Sequence, residues 1–388
     1  MGAAGALSGG ATRRQAVLVA GAAVGHVAMG STLLGGCTLP VAEDPALASA
    51  VEALVRPLEE ARQFSGAVVL MHDGQVLLAR GWGVANHALE LVFTSATPCD
   101  AASLAKNFTA AGIVLLVHEG RLQLQQPVQA LVPEYPHRAV SVDHLLTHSN
   151  GLAPDYGSFD RHFQPGQVRT TPALLALAGR DAPAPAFEPG SRFAYSDLAY
   201  DTLALVIERV SGQPFAEFVQ QRFFGPHGLR HAFARPPRLA DWPLPRARGY
   251  RFEAGRWRDD DAFDGEAFVG GSNLILSAHD LARWGDAWAQ ARVLPAAAER
   301  MAGEVPVLGG QPSAINRLAW YGPHKSGAAA LEGHNTGDYN GFRACVHWDR
   351  ERRDVVAYVS NSALPQAQGA RLQRELRELL AARRPATT

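Results

Sequence analysis

Lys106 is one of only two lysines in a chain that carries 34 arginines. It follows Ser103 by three residues in "DAASLAKNFTAAG", residues 100–112. On a helix, positions i and i+3 share a face. A serine hydroxyl is a weak nucleophile until a neighbour takes its proton. Lysine can take it when burial or a nearby cation lowers its pKa. Arginine cannot, because it does not deprotonate in proteins. The pair therefore predicts an activated serine, and it accounts for a lysine where arginine is otherwise the rule. A chance lysine on an apolar helix is the weaker reading, because a buried unpaired ammonium is costly.

Other chemistries find no footing in the sequence. There is no HExxH or CxxC among the 14 histidines and 3 cysteines, so no metal site or other cofactor is expected. There is no G-x-S-x-G, which argues against a Ser-His-Asp hydrolase. Neither phosphate-binding glycine motif occurs. A formal net charge of −1 leaves no electrostatic footprint for nucleic acid. With 47% apolar residues the chain can bury a sizeable core.

Elements that would position the pair lie on both sides of it. A helical pattern starts near residue 51, and the β-rich run "SGAVVLMHDGQVLLARGWGVAN" turns at Asp73-Gly74, a hairpin signal. "SLAKNFTAAGIVLLVHEGRL" is apolar nearly all round and reads as a buried helix. The short helix "SVDHLLTHSNGL" is followed by a Pro/Gly/Asp-rich loop at 153–192 and two helices separated at Ser211-Gly212. Residues 236–262 read as irregular, and Ser277 caps another helix. "LEGHNTG" and "FRACVHWDRERRDVVAYVSN" return to β structure, and an amphipathic helix closes the chain. The expected fold is α+β: an antiparallel sheet formed from both chain ends and flanked by helices, with a mostly helical lobe at about 101–264 inserted in the middle. A cleft between lobes is a usual place for a site.

These stretches, with "FEPGSRFAYSDLAYDTLALVIERVSGQPFAEFV" and "GGSNLILSAHDLARWGDA", resemble the serine β-lactamase and penicillin-binding protein superfamily, especially its class C β-lactamase, D-aminopeptidase and esterase branch. The likeness runs in order from about residue 50 to the C-terminus. It implies a β-lactamase/transpeptidase-like fold, Ser103 as nucleophile, Lys106 as its base partner, and Tyr195 as the tyrosine of a Tyr-x-Asn motif that accepts or relays the proton. For that a phenol needs its pKa lowered, and Lys106 is the obvious cation.

The chain departs from the pattern at Asp197, where the motif has asparagine. An aspartate favours the charged form of Lys106 and removes an amide donor, so esters are expected ahead of peptides and β-lactams, and Asp197→Asn is expected to raise amide turnover. The third motif, a Lys/His-Thr/Ser-Gly triplet, falls in "EGHNTGDYNGFRAC". Two registers remain open, with Asn335 or His334 before Thr336-Gly337, and Lys325-Ser326-Gly327 is a literal match that lacks the following strand. The resemblance also implies an oxyanion hole from the Ser103 amide and that of Gly337 or Asp338. His148 and Asn150 read as a structural turn. Trp82 and Tyr156 are candidates for the cleft wall, although such aromatics more often pack.

Residues 1–36 read as a twin-arginine export signal, with Arg13-Arg14 before a weakly apolar run ending in Leu34-Gly35-Gly36-Cys37. Cys37 would be lipidated, residues 37–50 would form a tether, and 51–388 the hydrolase domain on the periplasmic side of the envelope. Membrane contact is then through the lipid alone, and the partner is a small-molecule or peptide substrate. Cys99 and Cys345 pair or stay free; spacing leaves both open. The rival function is a lipid-anchored binding protein that keeps the fold without hydrolysis.

Overall fold

The computed structural model describes residues 43–383, apart from 153–158, 160–161, 165, 182–183, 244, 262–264 and 323–330. Cys37, the arginine pair at 13–14, Tyr156 and the Lys325-Ser326-Gly327 triplet lie outside the described residues.

The first helix, α1 (Pro45–Glu60), starts earlier than the sequence suggested. Asp44 caps it by accepting the amides of Ala46 and Leu47, and Pro45 suits the first turn, where no N–H is needed. Residues 45–50, expected to be tether, are its opening turns. The strand pair β1 (Gly66–His72) and β2 (Gln75–Trp82) follows. Asp73 and Gly74 both take positive φ, 48° and 76°, as a tight hairpin turn requires.

Late in the chain come β3 (Glu332–Tyr339), β4 (Phe342–Asp349) and β5 (Asp354–Ser360). The five strands form one sheet in the order β3-β4-β5-β1-β2. Every neighbouring pair is antiparallel, and β5 joins β1 through Gly66↔Ser360 to His72↔Asp354. The two chain ends thus meet in the sheet interior, and β3 is left at an edge.

Alternation along the strands builds two cores. On one face, Val68, Leu70, Cys345, Val356 and Tyr358 pack with Leu47, Val51 and Val55 of α1 and with Leu372, Leu376 and Leu380 of the last helix (Gln366–Ala382). On the other face, Val69, Val346 and Val355 join a larger core with the buried helix α2 (Ala105–His118), the helix α3 (Asp197–Ser211) and the helix α4 (Ala278–Ala289). Gly285 lets α4 approach the sheet, since a Cβ there would lie 2.7 Å from Val355. Cys99 and Cys345 are buried and free, not joined.

Two stretches read as irregular contain elements. Thr171–Asp181 is a helix that buries Leu174, Leu175 and Ala178, a short apolar stripe lost among the surrounding Pro, Gly and Asp. Tyr250–Glu253 and Arg256–Asp259 form a hairpin around Ala254-Gly255. Trp82 lies outside the cleft: it packs edge-on to Phe64 and donates to Glu52.

Candidate active site

Ser103 is placed by a strained turn. Cys99–Asp100 pair with Leu274–Leu276 in a small three-stranded sheet, and the Ala101 amide donates to Leu274 O at 3.0 Å. Ala102 then takes φ +48°, unfavourable for a residue with a Cβ. The Asp100 carboxylate holds it there by accepting the Ala102 amide at 2.8 Å. The chain enters a 3-10 turn at Ala102–Leu104 and continues as α2. Ser103 stands at the opening of this helical stretch, with Lys106 one turn on.

Tyr195 and Asp197 arrive from a different direction. His148, at φ +50°, forms the hub of a turn. Its carbonyl accepts the Ala194 amide at 2.7 Å and its Nδ1 accepts the Ser196 amide at 3.0 Å. Its ring stacks on Tyr195 at 4.6 Å. Burial, then the nearby Lys106, hold His148 well below the usual histidine pKa, so it is neutral. Ser196 caps α3, which sets Asp197 in the first helical turn.

The Ser103 Oγ lies 2.7 Å from Tyr195 Oη and accepts from Lys106 Nζ at 3.3 Å. Lys106 also donates to Asp197 Oδ1 and to the Gly271 carbonyl, both at 2.5 Å. Tyr195 Oη donates to the same Asp197 oxygen at 3.4 Å. Four side chains from two separate stretches therefore share one hydrogen-bonded cluster. Burial alone would depress the Lys106 pKa, but the Asp197 carboxylate and Tyr195 outweigh it, and the ammonium is held above the ordinary lysine value. Burial raises the Tyr195 phenol; Lys106 opposes this and Asp197 adds to it. Lys106 thus pulls the phenol down as expected, but desolvation and the Asp197 carboxylate act against it and the net direction is upward.

The cluster opens on a cavity of about 550 Å³ whose lining includes Ser103, Tyr195, Tyr321, Asn335, Thr336 and Asp338. β3 forms one wall. The amide and carbonyl of His334 both pair with Tyr321 at 2.9 Å, away from β4. Antiparallel strands alternate their amide directions, so the amides of Thr336 and Asp338 face the same outer edge while that of Gly337 faces β4. The Thr336 amide is already taken by Asn335 Oδ1 at 2.7 Å. Of the two expected candidates, the Asp338 amide is the one on the cavity side. Gly337 permits the approach to the nucleophile turn: a Cβ there would come within 2.2 Å of Ala101 O.

The two registers of the third motif now separate in space. Asn335 shares the face of Gly337, is buried, and donates to Asn107 Oδ1 and Ala319 O, each at 3.0 Å. His334 lies on the opposite face of the strand, 6.4 Å from His347 and 5.8 Å from Tyr321 between ring centroids, and it too lines the cavity. Thr336 is exposed, and Asp338 pairs with Arg343 across the strands at 2.5 Å. Tyr321 and the Gly271 carbonyl are parts that sequence reasoning did not single out. Tyr321 follows a stretch with no periodicity, and a carbonyl leaves no trace in side-chain types. Gly271 itself stood in the quoted "GGSN", where a Cβ would sit 2.8 Å from Asp197 O. Among the described residues no group of His, Cys, Asp and Glu could hold a metal ion.

The family model described as Beta-lactamase matches residues 51–381. The chain belongs to this family. It is 30% identical over 191 residues to penicillin-binding protein 4* of Bacillus subtilis, a match covering 49% of this chain and 42% of that protein. It is 31% identical over 273 residues to esterase EstB of Burkholderia gladioli, covering 61% and 69%. The solved structure of an octameric penicillin-binding protein homologue from Pyrococcus abyssi superposes with a TM-score of 0.71 at 25% identity, covering 86% of this chain and 77% of that one. The fold is thus β-lactamase/transpeptidase-like, and the chain is a member of the serine β-lactamase and penicillin-binding protein superfamily.

Proposed function

We propose that this protein is a serine hydrolase that forms an acyl-enzyme on Ser103 and acts on uncharged carboxylic esters ahead of β-lactams and D-peptides. The observation that carries it is the contact of the Ser103 hydroxyl with both Tyr195 and Lys106 at the mouth of a cavity. In this reading the amides of Ser103 and Asp338 stabilise the oxyanion.

The ester preference rests on charge. Asn335 stands where the triplet has a cation. The cavity-lining cations among the described lysines and arginines, Lys106 and Arg343, already face Asp197 and Asp338. A substrate carboxylate would find no uncommitted partner among them and would meet two aspartates. The similarity to an esterase is consistent with this.

The test is intact-mass detection of a fluorophosphonate adduct on the protein and on Ser103→Ala, followed by a neutral aryl ester and its carboxylate-bearing analogue. One adduct on the parent alone, with the neutral ester preferred, is the expected result. A folded parent without an adduct would point to the rival reading, a binding protein that lost hydrolysis through Asp197 and Asn335. Export and lipidation at Cys37 belong to the same proposal, and loss of radiolabelled palmitate from Cys37→Ala tests them.

A further inference from the structure

We propose that Asp197 is the terminal acceptor of the Ser103 proton. This rests on the reading of Ser103 as nucleophile and says where its proton must go.

Two groups touch the Ser103 hydroxyl, and neither has room for a proton at rest. Lys106 is an ammonium and Tyr195 a neutral phenol, for the reasons given above. Each can accept only by passing on a proton it already holds. Both converge on one atom, Asp197 Oδ1, at 2.5 Å from Lys106 Nζ and 3.4 Å from Tyr195 Oη. A carboxylate there can take what an asparagine could not.

The direction of the hydrogen bonds favours the phenol route. Tyr195 has one proton, and it donates that proton to Asp197. Its oxygen is then the acceptor for the Ser103 hydroxyl at 2.7 Å. Either hydroxyl can donate in the Ser103–Tyr195 contact, and with Tyr195 donating to Asp197 the chain runs from Ser103 to Tyr195 to Asp197. The longer second link is of the kind that tightens when substrate fills a site.

The step balances. As Ser103 Oγ bonds the carbonyl carbon, the C=O π pair moves onto oxygen. The serine proton passes to Tyr195 Oη, and the phenol's own proton passes to Asp197 Oδ1. The carboxylate loses the negative charge that the oxyanion gains. On collapse the bond to the alkoxide leaving group breaks. That oxygen takes a proton from Tyr195, which is reloaded from Asp197. Water repeats the cycle on the acyl-enzyme. Lys106 keeps its charge throughout and holds the carboxylate in place, with the Gly271 carbonyl as its second anchor.

The groups around Asp197 are Lys106 from α2, Tyr195 from the preceding turn, Asp201 one turn along α3, His148 beneath Tyr195, and Tyr321 from the segment beside β3. His148 is neutral, and Asp201 is engaged by the Gly271 amide at 2.9 Å. The expectation drawn from sequence, that asparagine at 197 raises turnover of amides and β-lactams, concerns other substrates; on esters the inference predicts a loss.

The experiment compares the full-length chain with Asp197→Asn and Asp197→Glu on a p-nitrophenyl ester across pH, with melting curves to verify folding. The expected result is a fall in kcat of about 100-fold at pH 7 for Asp197→Asn, with KM within about twofold. Its remaining rate should climb with pH toward the phenol range, while the parent's rate should show no such climb. Asp197→Glu should recover part of the loss. Asp197→Asn with parental or higher kcat and an unshifted profile would overturn the inference while leaving an acylatable Ser103 untouched. Absence of any Ser103 adduct on the parent would overturn the hydrolase reading itself. If Asp197→Asn fails to fold, a proton inventory on the parent decides: a curved plot means two protons in flight, and a linear one rejects the relay.

Discussion

Two buried charge clusters flank the nucleophile turn, and they differ in closure. Beside Ser103, Lys106 is almost fully buried but its partner Asp197 is 36% exposed, at the cavity. On the other side, Arg235 joins Asp100 at 3.4 Å and pairs with Glu266, which in turn accepts Tyr339 Oη at 2.9 Å. There the arginine is 1% exposed and the two carboxylates 0% and 4%. The sealed cluster runs from Asp100, which clamps the Ala102 amide, to Tyr339, which follows Asp338 on β3. It therefore spans the two strips of backbone whose amides would form the oxyanion hole. Buried ion pairs of this kind add little net stability over an apolar core, so fixed geometry is the better account of it. The lesson is that closure separates roles: a charge cluster that reaches the cavity can exchange protons, and one shut off from it can only hold shape.

The largest expected effect comes from breaking the open cluster. Lys106→Arg keeps the charge but brings a planar fork into a gap bounded by Asp197 and the Gly271 carbonyl. Turnover should fall by about 10³-fold in steady-state assays, and near-parental kcat would show that a point charge at this position is replaceable. Breaking the closed cluster should be felt in folding instead. Arg235→Met leaves Asp100 buried without its cation and Glu266 with Arg169 alone, at 3.3 Å, and should cost about 3–5 kcal/mol in denaturant unfolding. A loss under 1 kcal/mol would mean the carboxylates are otherwise neutralised.

Smaller changes sharpen the contrast. Asn335→Lys puts a new cation on the open side, and the rate ratio for carboxylate-bearing over neutral esters should rise about tenfold. No change in that ratio would remove the charge argument for substrate choice. His148 contributes a pH dependence of stability on the open side. Its folded pKa lies well below the usual value because of burial and Lys106. The unfolded chain then binds the extra proton first as pH drops below about 6.5, so stability falls with falling pH by at most about 1.4 kcal/mol per unit from this residue. Asparagine tolerates the positive φ and offers an acceptor for the Ser196 amide. His148→Asn should flatten the slope of Tm against pH between 6.5 and 5, and an unaltered slope would assign it to other histidines.

Much of this arrangement was legible in residue types. The hairpin at Asp73-Gly74, the all-apolar α2 and the late strand pair follow from periodicity and turn chemistry. Ser103, Lys106 and Tyr195 stood out through spacing and resemblance, and the structure brings them into contact. The helix at Thr171–Asp181 was missed because composition outweighed a short apolar stripe, and the start of α1 because an Ala/Pro-rich run looked like tether. The choice between Asn335 and His334 was illegible in principle. A one-residue shift in a strand exchanges faces, and only the pairing of β3 with β4 and Tyr321 fixes which side chain joins Gly337.

Sequence alone, then, determined which groups could do chemistry: a lysine where arginine prevails, a serine three residues before it, and an aspartate two residues after a tyrosine. These are properties of single side chains and of helical periodicity, so they survive without coordinates. Tertiary structure decided their protonation and their direction. Whether Lys106 is a base or an anchored cation depends on the 2.5 Å contact to Asp197, 91 residues away. Which amide of β3 faces the cavity depends on strand pairing. Desolvation and charge pairing are set by distance in space, and the order of residues along the chain does not contain that distance.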